Sequence, residues 1–323
     1  MRMTRRTLGL ALAGALACAA AGASEPARVA TVATGDVTGA YFPAAVALCR
    51  LANVERPATG LRCAALPSAG SVQNLTDLRA GTVTLAFAQS DAAEAARAGT
   101  GAFAAAGPDE GLRSVMGLFP EPLALAARAD AGIAGLGDLP GKRVNLGPAG
   151  SGQRALIAAL MERLGWKPTA FAEAGELAPS EAANALCEGR IDAFFYAVGQ
   201  PARALREAVE SCGATLVDVA GPEVDALVAG DPALSAAVIP AGTYAGLDRD
   251  VATFGVRAVL VTEASAAEAD IETLTGAILD ALPELGDLDP RLKGLEPAAM
   301  AREGLTAPLH PGAAKAFAAH GVE

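Results

Sequence analysis

The chain has 323 residues, of which 52% are hydrophobic and 19% charged, enough apolar material for a large core and too much length for one small domain. Its formal net charge of -11 argues against nucleic acid or an anionic membrane surface as a partner, because phosphate binding needs clustered Lys and Arg. The hydrophobic fraction excludes disorder, and the 36 glycines follow no three-residue period, which excludes collagen.

The first segment reads as an address. Arg2, Arg5 and Arg6 precede an uncharged run over 7–23, and Ala21-Gly22-Ala23 supplies small residues for a signal peptidase. Cleavage is expected near Ala23, with the mature protein in the periplasm; Arg5-Arg6 leaves a twin-arginine route open beside the general secretory one. Discounting Cys18, four cysteines remain, and they fall as two local pairs, Cys49 with Cys63 and Cys187 with Cys212. Of the three possible connectivities the local one is simplest, and in an oxidising compartment each bond is worth roughly 3 kcal/mol. There is no Cys-x-x-Cys, and His310 and His320 are the only histidines, so neither a metal nor a cofactor is expected.

From residue 28 strands and helices alternate, the pattern of α/β proteins with mostly parallel sheets. Residues 29–34 predict a strand ending at Gly35-Asp36-Val37-Thr38-Gly39, and a helix follows to about 53 with Pro43 in its first turn. Residues 61–66 alternate as a second strand. Pro67-Ser68-Ala69-Gly70-Ser71 is a loop before a helix over 72–80, which Ser71 is suited to cap. Val83, Leu85 and Phe87 predict an alternating strand that delivers Gln89, Ser90 and Asp91 at its carboxyl end. Further on come a strand over 144–146, the loop Gly147-Pro148-Ala149-Gly150-Ser151-Gly152, a helix over 153–164, and a strand over 191–196 followed by Gly199-Gln200-Pro201. Phe119-Pro120-Glu121-Pro122 and the stretch over 239–255 are the candidate crossings between lobes. They divide the mature chain into a first lobe of 24–119 plus 255–323 and a second of 120–254, after a signal peptide of 1–23.

Ligands of open α/β sheets bind beyond the carboxyl ends of strands, where loops enter helices. Three loops, over 35–41, 68–74 and 147–153, place glycines before helix starts, whose free N–H groups and partial positive charge suit a small anion, most simply a carboxylate. Any one of them is explained by an ordinary turn; three in equivalent settings favour a site. The candidate contacts are Gly39, Tyr41, Ser71, Asn74, Gln89, Asp91, Ser151, Gly152, Gln153 and Gly199. Plainer roles stand beside these: a core ring for Tyr41, helix caps for Ser71, Ser151 and Asp91, a turn for Gly199. Arg128 is either a cationic clamp or a solvated side chain. Gly150-Ser151-Gly152 is not the nucleophile-elbow motif, and no histidine is placed by a recognisable motif, so a hydrolase using Ser71 or Ser151 is disfavoured and no enzyme is expected.

Taken together, these motifs resemble a known family. Gly35-Asp36-Val37-Thr38-Gly39-Ala40-Tyr41-Phe42-Pro43, Gly70-Ser71-Val72-Gln73-Asn74, Ala88-Gln89-Ser90-Asp91 and Gly147-Pro148-Ala149-Gly150-Ser151-Gly152 are similar to motifs of the TAXI solute-binding proteins, the extracytoplasmic receptors of one class of TRAP transporters. Ile191-Asp192-Ala193-Phe194-Phe195, Ile239-Pro240-Ala241-Gly242-Thr243-Tyr244 and Pro308-Leu309-His310-Pro311-Gly312-Ala313 extend the resemblance over nearly the whole mature chain. Leu48-Cys49-Arg50 with Leu61-Arg62-Cys63 is similar to a cysteine-paired branch. The resemblance implies an α/β, two-lobed periplasmic binding protein, type II-like, with a ligand cleft between the lobes. It also implies capture of glutamate, 2-oxoglutarate or a similar small organic anion or amino acid for delivery to TRAP membrane permease subunits. By motif match, Tyr41, Ser71, Asn74, Gln89, Asp91 and Ser151 are the implied contacts, while Gln153 stands where many members have a small hydroxyl residue. The same clamshell passing its bound shape to a membrane sensor kinase is the alternative that the residues leave open.

Overall fold

The computed structural model describes residues 28–322; the expected export signal over 1–23 and its cleavage near Ala23 lie outside the described residues. Ten strands form the framework: β1 (Arg28–Ala33), β2 (Leu61–Leu66), β3 (Leu85–Gln89), β4 (Leu112–Ala127), β5 (Arg143–Asn145), β6 (Glu173–Gly175), β7 (Ala193–Ala197), β8 (Thr215–Val217), β9 (Ser235–Ile239) and β10 (Val251–Glu263). They pair in the order β2-β1-β3-β10-β4-β7-β5-β6, with β8 on β4 and β9 on β10. At each end of this path the pairs are parallel, β1 with β2 and β3, and β5 with β6 and β7. Between them β10 runs antiparallel to β3 and β4, and β4 antiparallel to β7. The 16-residue β4 and 13-residue β10 therefore run through both halves and join them.

The candidate crossing Phe119-Pro120-Glu121-Pro122 is extended strand despite its two prolines: all four residues lie inside β4. Proline has no N–H for the ladder, so a strand accepts it where pairing is locally irregular. Pro120 faces Arg257 and Pro122 faces Gly255, and the register shifts between Arg257 and Val259. Gly255 is required by the close approach: a Cβ there would lie 2.5 Å from the Glu121 carbonyl oxygen.

The strand expected to alternate, β3, is buried along its whole length because helices cover both of its faces. Phe87 joins one core with Tyr41, Leu48 and Phe194, while Ala86 and Ala88 join another with Leu75 and Val261, as successive side chains on a pleated strand must. In the other half β7 divides in the same way, sending Phe194 and Tyr196 to the first core and Phe195 to a third with Leu125 and Ile157.

Both cysteine pairs form the local bonds. Cys49–Cys63 ties the helix Tyr41–Val54 to β2 within the core, with Cα atoms 4.9 Å apart. Cys187–Cys212, with Cα atoms 5.4 Å apart, anchors the last residue of the helix Pro179–Cys187 at the exposed surface. No helix among the described residues is long and apolar enough to cross a membrane.

Candidate functional site

A cleft of ≈ 270 Å³ opens where the two halves of the sheet face each other. Four helices begin at its wall: Tyr41–Val54 and Ser71–Arg79 from one half, Gly152–Arg163 and Pro179–Cys187 from the other. The first turn of a helix leaves N–H groups without intrahelical acceptors and carries partial positive charge. Four such ends around one small volume make it favourable for an anion without a charged side chain. Among the described residues that line the cleft, none is Lys or Arg, and the acids are Asp36 and Glu121.

Glycines let the walls meet. Gln73 N–H donates to Gly150 O at 3.1 Å across the seam between the halves. Gly70 adopts φ +119, a backbone that disfavours L side chains, and a Cβ on it would lie 3.4 Å from Ser151 Cα. At Gly152 a Cβ would lie 2.1 Å from Gln89 Oε1 and 2.6 Å from Ser71 Oγ, so only glycine brings this helix start against those two side chains. Gln89 is 3% exposed and its Oε1 is buried without a hydrogen-bond partner, an acceptor left for a ligand donor.

Seven of the ten sequence-nominated residues line this one cleft: Gly39, Tyr41, Ser71, Gln89, Ser151, Gly152 and Gln153. Their roles there differ. Ser151 is the cap of its helix, its Oγ accepting from Arg154 N–H at 3.1 Å and donating to Pro148 O at 2.7 Å. Ser71 does not cap, because the helix begins on it after Gly70; its Oγ accepts from Gln89 N–H at 3.1 Å. Gln153 turns its amide to the backbone, donating to Phe195 O at 2.8 Å.

The other three do not line the cleft. Asn74 is fully buried: its Nδ2 donates to Thr34 O and to Phe87 O, the latter at 2.8 Å, and its Oδ1 accepts from Ser68 Oγ at 2.5 Å. Its amide is committed to holding β1, β3 and the 68–71 loop together. Asp91 turns to the first turn of its own helix, accepting from Ala92 N–H at 2.8 Å, and desolvation by burial together with nearby Asp231 pushes its carboxyl up to about 7. Gly199 packs against the ring of Phe119 and the stem of Arg291. Arg128 pairs with Asp130 in a surface hollow beside Cys187–Cys212, far from a clamp on the cleft.

Sequence reasoning missed the fourth helix start at Pro179 and two lining side chains, Glu121 and Tyr196. Glu121, 2% exposed, lies at the floor on β4, where Tyr41 Oη donates to its Oε2 at 2.6 Å. Desolvation by burial pushes its carboxyl up to about 8, against the hydrogen bond from Tyr41. Tyr196 stands beside it on β7, and a Cβ on Gly39 would come within 3.3 Å of its Oη. Burial raises the Tyr196 hydroxyl's pKa above the usual phenol value. The signal available in the sequence was a lone acid between two prolines, which is equally the signature of a loop.

Comparison with known proteins places this architecture. The family model described as the NMT1-like family matches residues 32–321. PhnD1 from Prochlorococcus marinus, solved in complex with methylphosphonate, superposes with a TM-score of 0.54 at 10% identity, over 82% of this chain and 90% of that one. A Xanthomonas citri protein bound to ATP gives 0.52 at 14% identity, over 90% and 94%. A putative L-cystine ABC transporter protein from Listeria monocytogenes gives 0.50 at 17% identity, over 83% and 96%. At such identities the likeness is one of fold, a mixed α/β fold that this chain shares with those structures.

Proposed function

We propose that this chain, which belongs to the NMT1-like family, is an extracytoplasmic receptor that captures a small carboxylate and delivers it to a TRAP-type membrane permease. Glutamate, 2-oxoglutarate or a similar acid is the solute. The observation that carries this reading is the convergence of four helix starts, two from each half, on one cleft without a lining Lys or Arg. Carboxylate oxygens accept from the free N–H groups of those first turns, while Gln89 Oε1 takes a donor where the solute carries one, as the ammonium group of glutamate does. Because both halves contribute, the solute favours the state in which they are brought together. In this reading the first lobe is 24–119 plus 255–323, the second is 120–254, and 1–23 is an export signal removed on the way to the periplasm. The TAXI-like motifs over 35–43, 70–74, 88–91 and 147–152 support the TRAP assignment.

Thermal denaturation of the mature chain tests the proposal, with 2-oxoglutarate, L-glutamate and other C4 and C5 dicarboxylates as probes. A solute present at 100 times its Kd stabilises by about 2.7 kcal/mol. The folds that carry methylphosphonate and L-cystine in their names motivate two further probes. Stabilisation by one of those two alone reassigns the solute, and no stabilisation by any carboxylate defeats the carboxylate reading.

A further inference from the structure

The floor of the cleft carries a group that capture by backbone donors does not use. Glu121 is buried on β4 with its carboxyl at the cleft surface, accepting from Tyr41 Oη at 2.6 Å and from the backbone N–H of Gly199. A carboxylate in that position calls for a cation, since an unpaired buried charge is costly. The nearest cation on the far side is Arg291, and its Nε and Nη2 are committed to Asp289 at 2.8 and 2.5 Å. Arg257 lies opposite Pro120, on the other side of the β4 pleat, and its Nη2 pairs with Glu303 at 2.6 Å. The remaining ionisable neighbours are Asp91 on the helix Ser90–Ala98, Tyr196 on β7 and, at the cleft rim, Asp36, none of which supplies positive charge at neutral pH. Two donors occupy two of the carboxyl's acceptor positions and no cation pairs with it, so in this setting burial favours the neutral acid, which adds a proton donor to the cleft floor.

We propose that Glu121 is a specificity-determining residue of the cleft, donating its carboxyl proton to an oxygen of the bound anion. The inference rests on the carboxylate reading above and adds a residue to it. Desolvation, reinforced by Asp91, holds the Glu121 carboxyl up to about 8 despite the opposing effects of Tyr41, Gly199 and Arg291, so the donor is present at neutral pH. Above that value the donor is lost and a negative charge faces the anion. Selection therefore runs toward solutes that place an oxygen at the floor, and against those that place an ammonium group there.

Isothermal titration of the mature chain with 2-oxoglutarate at pH 6, 7, 8 and 9 and constant ionic strength tests this, because the carboxylates of the probe are fully ionised throughout. The wild-type Kd is expected to stay level from pH 6 to 7 and to rise about tenfold by pH 9, one proton linked to binding. E121Q keeps an N–H donor that does not titrate, so its Kd is expected within a few-fold of wild type at pH 7 and level across the range. D91N removes a charge that helps to raise the Glu121 carboxyl, so it is expected to retain the pH dependence with its break at lower pH. Y41F removes a hydrogen bond that favours the ionised carboxyl, so its break is expected at higher pH, a result that stands even where E121Q fails to fold. A level wild-type profile, a slope that persists in E121Q, or a Kd that falls as pH rises overturns the inference while leaving carboxylate capture intact. Failure of the carboxylate probes to bind at any pH overturns capture itself and this inference with it.

Discussion

At the cleft walls the chain presents helix starts and glycines, with Ser71, Gly152 and Pro179 at the first turns; at the floor it presents a buried carboxyl, Glu121, between Tyr41 and Tyr196. The walls act through main-chain dipoles that are the same whatever the pH. The floor acts through a side chain whose charge depends on burial and on neighbours from distant parts of the chain. A loop-built wall can be recognised from local sequence because its chemistry is local, whereas the floor acquires its properties only when β4 is packed.

The largest effect is expected from breaking the wall at its tightest point. Gly152→Ala puts a Cβ onto Gln89 Oε1 and Ser71 Oγ, and both side-chain ends must move out of their cleft positions or the halves must part. A loss of about 100-fold in affinity, about 2.7 kcal/mol, is expected by titration of the identified solute, with little change in the unfolding midpoint of the free protein. Unchanged affinity would mean that the seam does not close around the solute.

Asn74→Ala separates framework from contact. It removes a side chain that bridges Thr34 O, Phe87 O and Ser68 Oγ, so a stability loss of about 2 to 3 kcal/mol is expected in urea denaturation. Affinity per folded molecule is expected to be nearly unchanged, in contrast to Gly152→Ala. The reverse pattern would move Asn74 from the framework to the site.

The floor is sharpened by pH. Glu121 has its pKa raised in the folded chain, so folding binds an extra proton between the ordinary glutamate range and about 8. The stability linked to that proton is fully present below the unfolded pKa and is lost as pH rises through about 8. Asp91, raised to about 7, contributes with the same sign. Thermal melts of the free protein are expected to show falling stability from pH 5 to pH 8, and E121Q is expected to shrink that fall. Identical slopes in the two proteins would show that Glu121 is not protonated in the native state. The smallest effect is expected at Gly39→Ala, where a Cβ would sit 3.1 Å from Asp36 O and 3.3 Å from Tyr196 Oη. An affinity change of about threefold would mark wall and floor as lightly coupled at this point.

Much of the walls was legible before folding was considered. The loops over 35–41, 68–74 and 147–153 combine glycines, a following helix pattern and short hydroxyl side chains within a few residues of one another, and seven of the ten nominated residues line the cleft. Asn74 was misplaced for a physical reason: an amide near a glycine loop looks the same in sequence whether it faces solvent, a ligand or three backbone segments. Gly199 and Asp91 were displaced by packing, one against Phe119 and the other against the start of its own helix. Glu121 was hidden by its flanking prolines, which read as a linker unless the opposing strand is known to shift register there.

Alternation of strand and helix patterns, glycines at helix starts and the spacing of four cysteines are properties of short stretches, so the sequence by itself determined the α/β class and the material of the cleft walls and made the two local disulfides the simplest of three connectivities. Which side chains meet at the floor is a property of pairs far apart, Tyr41 with Glu121 across 80 positions and Glu121 with Gly199 from another strand end. Only the tertiary structure decided that meeting, because the protonation of a carboxyl is set by the water it loses and the charges brought beside it, and neither exists until β4 is buried between the two halves.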